Sequence, residues 1–183
     1  MRGKHIVLGV CGSIAAYKAA TLVRSLIKMG ADVKVVMTRS ACSFITPLTL
    51  ATLSKNTVLS SLIDQESETW NNHVELALWA DLILVAPATA QIISKFTHGN
   101  CDDLLTAVYL SAKSPVFIAP AMDLDMWAHP ATRQNISTLK SYGNHIIQPG
   151  SGELASGLDG EGRLADLDVI CTTLQSYFAN DVR

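Results

Sequence analysis

Four short segments of this sequence carry residue types that chemistry needs. Gly9-Val-Cys-Gly12-Ser13 is a small-residue turn that opens into Ile14 and a run at helical spacing. Backbone N–H groups at such a helix start, with the positive end of the helix dipole, suit a phosphate. A tight strand-to-helix turn needs the same small residues, and the spacing is neither G-x-G-x-x-G nor a Walker A loop. The motif alone leaves both readings open. Thr38 and Ser40 add hydroxyl donors at the end of the next apolar run, which strengthens the phosphate reading. No acidic residue stands there, where the ribose-binding carboxylate of an NAD site would sit; Thr38-Arg39 occupies the place. A phosphate-bearing cofactor without an adenosine ribose fits better, and flavin mononucleotide (FMN) is the candidate. Pro87-Ala-Thr-Ala-Gln91 and Pro120-Ala-Met-Asp-Leu-Asp-Met-Trp127 follow two further apolar runs. His73 offers an imidazole that titrates near neutrality and could move a proton, although a lone histidine ahead of an amphipathic stretch is more often polar surface.

Composition bounds the elements that must position these segments. The 183 residues are read as a single domain, 1–183, long enough to bury its own core. Apolar residues make up 49% and charged residues 16%, which argues against disorder. Lys+Arg 14 against Asp+Glu 16 leaves a formal charge of −2, too little positive charge for a nucleic-acid surface. No apolar run reaches the roughly 18 residues a membrane span requires. Cys11, Cys42, Cys101 and Cys171 lie far apart without a C-x-x-C pair and the histidines are scattered, so no metal site is expected. Met1-Arg-Gly-Lys ahead of Ile6-Val-Leu-Gly-Val resembles a secretory signal, but Lys18 falls where cleavage should occur. The segment reads as a buried first strand, the cysteines as free thiols and the location as cytoplasmic.

Apolar β-branched runs are predicted as strands over 5–10, 32–37, 81–86, 115–119 and 145–147. Helical periodicity predicts helices after 13 up to Gly30, to about Leu53, over 74–79, through Phe96, over 102–112, 131–142 and 167–178. Residues 56–72 give no clear pattern. Residues 120–130 read as a loop. The stretch 149–162, with Gly150, Gly152, Gly157, Gly160 and Gly162, reads as a mobile loop. Strands apolar throughout, alternating with helices, predict an α/β fold: a doubly wound parallel sheet in a three-layer αβα sandwich. Ligands bind such sheets beyond the carboxyl ends of the strands. That rule selects the four segments named above.

The chain resembles the flavin-containing cysteine decarboxylases, particularly the phosphopantothenoylcysteine decarboxylase branch of coenzyme A biosynthesis. The likeness rests on Gly12-Ser13-Ile-Ala-Ala, Met37-Thr-Arg-Ser-Ala41, His73-Val-Glu-Leu with Ala80-Asp81, and Ala86-Pro-Ala-Thr-Ala90. The segment from Pro120 to Trp127 and Gly152-Glu-Leu-Ala-Ser-Gly157 complete it. It implies a flavodoxin/Rossmann-like flavoprotein that decarboxylates 4'-phosphopantothenoylcysteine to 4'-phosphopantetheine. The cofactor phosphate would lie against Gly12, Ser13, Ile14, Thr38 and Ser40. The isoalloxazine would lie near Pro87, Ala88, Thr89, Ala90, Gln91, Ala119 and Met122. His73 matches the family's base, Asp123 the residue that holds the substrate carboxylate, and Glu153, Leu154, Ala155 and Ser156 the segment that closes over the substrate. The resemblance further implies a homotrimer or a trimer-built dodecamer with FMN at a subunit interface, and a phosphopantothenoylcysteine synthetase, fused or separate. On this view the chain is a single-domain form or is cut from a bifunctional protein just after 180. The chemistry follows from electron demand. A cysteine carboxylate cannot leave unless the electrons left behind have a sink. Oxidising the Cβ–SH carbon to a thioaldehyde puts a C=S group β to the carboxylate, and CO2 can then depart to give an enethiol.

Two positions depart from the family. Asn commonly stands at 123, where its amide donates to the substrate carboxylate; an ionised Asp123 repels it unless protonated or turned toward another partner. A cysteine that donates a proton to the enethiol stands at 156 in members that complete the reaction; Ser156 is a far weaker acid, so the product could remain an enethiol, as in peptidyl-cysteine decarboxylases. Asp159 or Glu161 could instead supply the proton. Gln91 replaces a frequent Asn. The rival readings are a non-catalytic flavin-binding homologue such as a phosphatase regulatory subunit, and a flavin-prenyltransferase-like protein.

Overall fold

The computed structural model describes residues 1–64 and 68–180. Strand β1 (His5–Val10) runs into a 3-10 turn (Ile14–Tyr17) and helix α1 (Lys18–Lys28). Next come β2 (Asp32–Met37), a second 3-10 turn (Arg39–Ser43) and α2 (Pro47–Ser54). Two short strands, β3 (Ile63–Asp64) and β4 (Thr69–Trp70), pair antiparallel within the stretch that lacked a sequence pattern. Then follow α3 (His73–Trp79), β5 (Leu82–Ala88), α4 (Ala90–His98), α5 (Leu104–Leu110) and β6 (Val116–Pro120). The remainder is α6 (Leu124–Ala128), α7 (Pro130–Ser141), β7 (His145–Ile146), β8 (Gly150–Glu153), β9 (Asp159–Arg163) and α8 (Leu167–Asn180).

The main sheet has the order β2-β1-β5-β6-β7, parallel throughout. Every residue of β5 is buried, as expected of a central strand covered on both faces. The two-residue alternation of the strands sorts their side chains into two cores. Ile6, Leu8, Val10, Leu82, Leu84 and Ala86 pack with Leu22 and Leu26 of α1 and Leu174 of α8. Val7, Ile83, Val85 and Ile118 pack with Ile93 of α4, Leu105 of α5 and Leu139 of α7. This is the doubly wound three-layer sandwich expected from the sequence. The chain leaves β1 for β2 on one side and returns to β5 on the other, so the sheet reverses direction between β1 and β5. An open crevice forms at that switch point, at the carboxyl ends of the strands.

Two expected loops are structured instead. The segment read as a loop over 120–130 contains α6, and the glycine-rich stretch is an antiparallel hairpin of β8 and β9. Its glycines permit close packing onto the sheet. The N–H of Met122, just past β6, donates to the carbonyl of Gly162 at 2.9 Å. Gly162 has φ +148, and a Cβ there would stand 2.5 Å from the carbonyl oxygen of Met122. A residue with no side chain is required where the hairpin meets the strand tip. Among the described residues no helix is long and apolar enough to cross a membrane.

Candidate functional site

Each of the four strand-tip segments contains a residue whose side chain caps the next helical turn, so the candidate side chains also satisfy otherwise orphaned N–H groups. Ser13 accepts from the Ala15 N–H at 3.2 Å, Thr38 from Ala41 at 3.3 Å, Thr89 from Ile92 at 3.3 Å and Asp123 from Asp125 at 3.4 Å. The β1 and β2 tips touch. The Thr38 and Ser40 hydroxyls lie 3.1 Å apart, and a Cβ on Gly12 would stand 2.5 Å from the Ser40 Oγ. Gly12 therefore lets the first turn approach the second closely.

Two clefts open at this end of the sheet. One, of about 450 Å³, is lined by Thr38, Ser40, Ser43, Ser60, Thr89 and Gln91, with Cys11, Arg39, Ile92, Lys95 and Asp103. It is rich in hydroxyls. Lys95 there is paired, with its Nζ 2.7 Å from Asp102 Oδ1 and 3.2 Å from Asp103 Oδ2; its pKa is raised, first of all by the Asp102 hydrogen bond. Burial pushes the Cys11 thiol up to about 12, so it stays protonated and is no nucleophile at neutral pH. The second cleft, of about 560 Å³, brings together Ser13 and Ile14 from the β1 tip, Ala121, Met122 and Asp123 from the β6 tip, and Glu153, Leu154, Ala155 and Ser156 from the hairpin.

The site is thus divided. Thr38, Ser40, Thr89 and Gln91 share one cleft, while Ser13, Ile14, Met122, Asp123 and residues 153–156 share the other. Pro87, Ala88 and Ala119 are buried in the strand ends and shape the crevice from below; the Pro87 carbonyl accepts from the Cys11 N–H at 3.2 Å, and the Ala88 carbonyl from Ala121 at 2.9 Å. His73 lines neither cleft. It opens α3 with its ring edge-on to Trp70 at 5.5 Å between centroids, and its buried Nδ1 has no hydrogen-bond partner among the described residues.

The two family departures are in contact: the Ser156 hydroxyl donates to Asp123 Oδ2 at 2.5 Å. Asp123 is thus turned toward partners within the chain, with Oδ1 at the α6 cap and Oδ2 at Ser156. Asp159 and Glu161 do not line the cleft, and Glu161 lies 3.5 Å from Arg133. Sequence reasoning missed Tyr17, Lys18, Arg163 and Leu164 as cleft residues. Lys18 one helical turn past Ile14 was a usable signal, whereas Arg163 becomes visible only once the hairpin folds back.

A family model described as "Flavoprotein" matches residues 1–178. The chain belongs to the flavoprotein family. This flavoprotein is 60% identical over 135 residues to a "Cysteine/Cysteine sulfinic acid decarboxylase" of an unknown prokaryotic organism, covering 74% of the chain and 38% of that relative. It is 45% identical over 179 residues to the "Coenzyme A biosynthesis bifunctional protein CoaBC" of Haemophilus influenzae, covering 98% of the chain and 45% of the relative. It therefore spans less than half the length of either. Among solved structures, a cysteine-to-serine mutant of PPC decarboxylase complexed with pantothenoylaminoethenethiol superposes with TM-score 0.87 at 32% identity, over 97% of this flavoprotein and 100% of that chain.

Proposed function

We propose that this chain is an FMN-dependent carboxy-lyase that removes the carboxyl group of 4'-phosphopantothenoylcysteine on the route to 4'-phosphopantetheine. The observation that carries this reading is the convergence of the β1 tip, the β6 tip and the β8–β9 hairpin on one cleft, with Ser156 bonded to Asp123.

The residues present fit the cofactor. The hydroxyls of Thr38, Ser40 and Thr89 and the close approach at Gly12 suit a phosphate, and Ile14 and Met122 offer apolar surface to a ring. FMN bound there would supply the two-electron oxidation of the Cβ–SH carbon that makes the carboxyl group labile. Met122 and Leu154 line the cleft with apolar surface that would limit water at the reacting end. Asp123, anchored by its cap and by Ser156, holds the hairpin tip against the strand tip. Ser156 is a poor acid for the last protonation: a hydroxyl is far weaker than a thiol, whose pKa is roughly 8.5, and removing its proton beside the Asp123 carboxylate would set two negative charges together. The expected product is therefore the enethiol. The cysteine-to-serine mutant of PPC decarboxylase was solved with an enethiol, pantothenoylaminoethenethiol, which supports that expectation.

His73 would serve as the proton-moving group. Its Nδ1, without a partner among the described residues, and the neighbouring exposed Trp70, Val74 and Leu78 support a homotrimer or trimer-built dodecamer in which this face meets a second copy. A synthetase, fused or separate, would supply the substrate, and the reaction would take place in the cytoplasm. A second reading, free cysteine or cysteine sulfinic acid as substrate, is favoured by the relative at 60% identity. One experiment tests both: the protein is assayed for flavin absorbance, then incubated separately with phosphopantothenoylcysteine, cysteine and cysteine sulfinic acid, with products followed by mass spectrometry. A yellow protein converting phosphopantothenoylcysteine to its enethiol supports the first reading. Turnover of free amino acids alone replaces it with the second, and a colourless protein that takes up no FMN overturns both.

A further inference from the structure

Two cations in the larger cleft have no role so far. Lys18 begins α1 directly behind the β1 tip, and Arg163 ends β9, opposite Gly150 in the hairpin. Both line the cleft shared with Asp123 and Ser156, yet among the described residues neither forms an ion pair within 4 Å. They also feel each other. The Lys18 pKa is lowered by burial and then by the charge of Arg163, with Asp166 only opposing the effect. Asp166 offsets the repulsion between these two like charges only in part, and of the carboxylates lining the cleft, Asp123 and Glu153, the first is already bonded to Ser156; a bound anion relieves the rest.

The identity of that anion follows from the reaction. A carboxylate that departs as CO2 loses its charge, so a grip by two cations would stabilise the ground state more than the transition state and slow the step. A group that keeps its charge throughout suits the pair, and a phosphate monoester with about −1.5 to −2 charges at neutral pH matches two cations. The hydroxyl-rich cleft beside Thr38 and Ser40 is the separate place for the cofactor phosphate. Resting on the decarboxylase reading above, we propose that Lys18 and Arg163 form a clamp for the phosphate of the substrate and so select phosphorylated over unphosphorylated cysteine conjugates.

Binding measured by calorimetry on the FMN-loaded protein tests this without turnover, using 4'-phosphopantothenate and pantothenate as probes. The wild type should bind the phosphorylated probe at least about tenfold more tightly, the worth of one charge-assisted hydrogen bond. Lys18→Gln and Arg163→Gln should each remove most of that preference while flavin absorbance and pantothenate affinity stay unchanged, and Lys18→Arg should restore part of it. In the wild type, rising salt should weaken the phosphorylated probe more steeply than pantothenate, whose carboxylate carries a single charge, a check that needs no variant to fold. Equal affinity for the two probes, a preference that survives both substitutions, or loss of FMN from the variants in step with loss of the probe would each overturn the clamp. A protein that prefers the phosphorylated probe but releases no CO2 from phosphopantothenoylcysteine would sustain the clamp and sink the decarboxylase reading.

Discussion

At the scale of single residues, the chemistry turns on what stands at 123 and 156. Ser156 Oγ and Asp123 Oδ2 sit 2.5 Å apart, so a change at either is felt by the other. Ser156→Cys places a thiol where the hydroxyl now points, and thiols ionise near neutrality far more readily. Product mass spectra should then shift from the enethiol to the saturated thiol; an unchanged spectrum would mean that proton delivery does not depend on this position. Asp123→Asn keeps a capping oxygen but replaces one acceptor with an amide donor. A carboxylate-bearing substrate should bind roughly tenfold more tightly, the usual worth of converting a repulsive contact into a charge-assisted one. The measurement is KM for phosphopantothenoylcysteine, and a rise in KM would show that the Asp123 carboxylate itself serves the substrate.

At the scale of elements, the glycines decide how loops become walls of the site. Gly162→Ala must accommodate a Cβ 2.5 Å from the Met122 carbonyl oxygen at a φ of +148. The expected cost is about 1–3 kcal/mol of stability, with KM rising because the hairpin lifts from the β6 tip. Thermal unfolding and steady-state kinetics together check this: a loss of stability at constant KM would mean that hairpin seating does not shape the cleft. Gly12→Ala meets Ser40 in the same way at the β1 and β2 tips, so FMN content at fixed protein concentration should fall while the decarboxylation rate per bound flavin changes little. The β8–β9 stretch looked like a mobile loop in sequence because glycine frequency reports turns and close packing alike. Only the pairing of Gly152 with Gly160 and the seat on Met122 separate the two meanings.

Across the whole molecule, the sheet supplies a scaffold whose centre is sealed on both faces, and one consequence is thermodynamic. Cys11 lies buried at the switch point, and its thiol is raised from an ordinary 9.0 to about 12 by burial. A raised folded-state value means that the folded chain keeps this proton while the unfolded chain releases it. The stability tied to this thiol is fully present below pH 9 and is lost as pH rises toward 12, by about 1.4 kcal/mol per unit within that window. Denaturant midpoints of the wild type should therefore decline relative to Cys11→Ala above pH 9 and run parallel to it below; parallel curves throughout would show that the thiol titrates normally.

Local periodicity determined β1, β2, the helices between the strands and the parallel sheet, because side-chain alternation and helical spacing are properties of neighbouring residues. The strand-end rule then picked the four tips that form the crevice, and motif likeness named most of the residues around them. The bond between Asp123 and Ser156, the division of the tips between two clefts, the approach of Lys18 to Arg163 and the separation of His73 from both clefts were decided by the tertiary structure alone. Each depends on where the β8–β9 hairpin lands and how α3 docks. Those placements follow from packing between segments tens of residues apart, where no short-range pattern reaches.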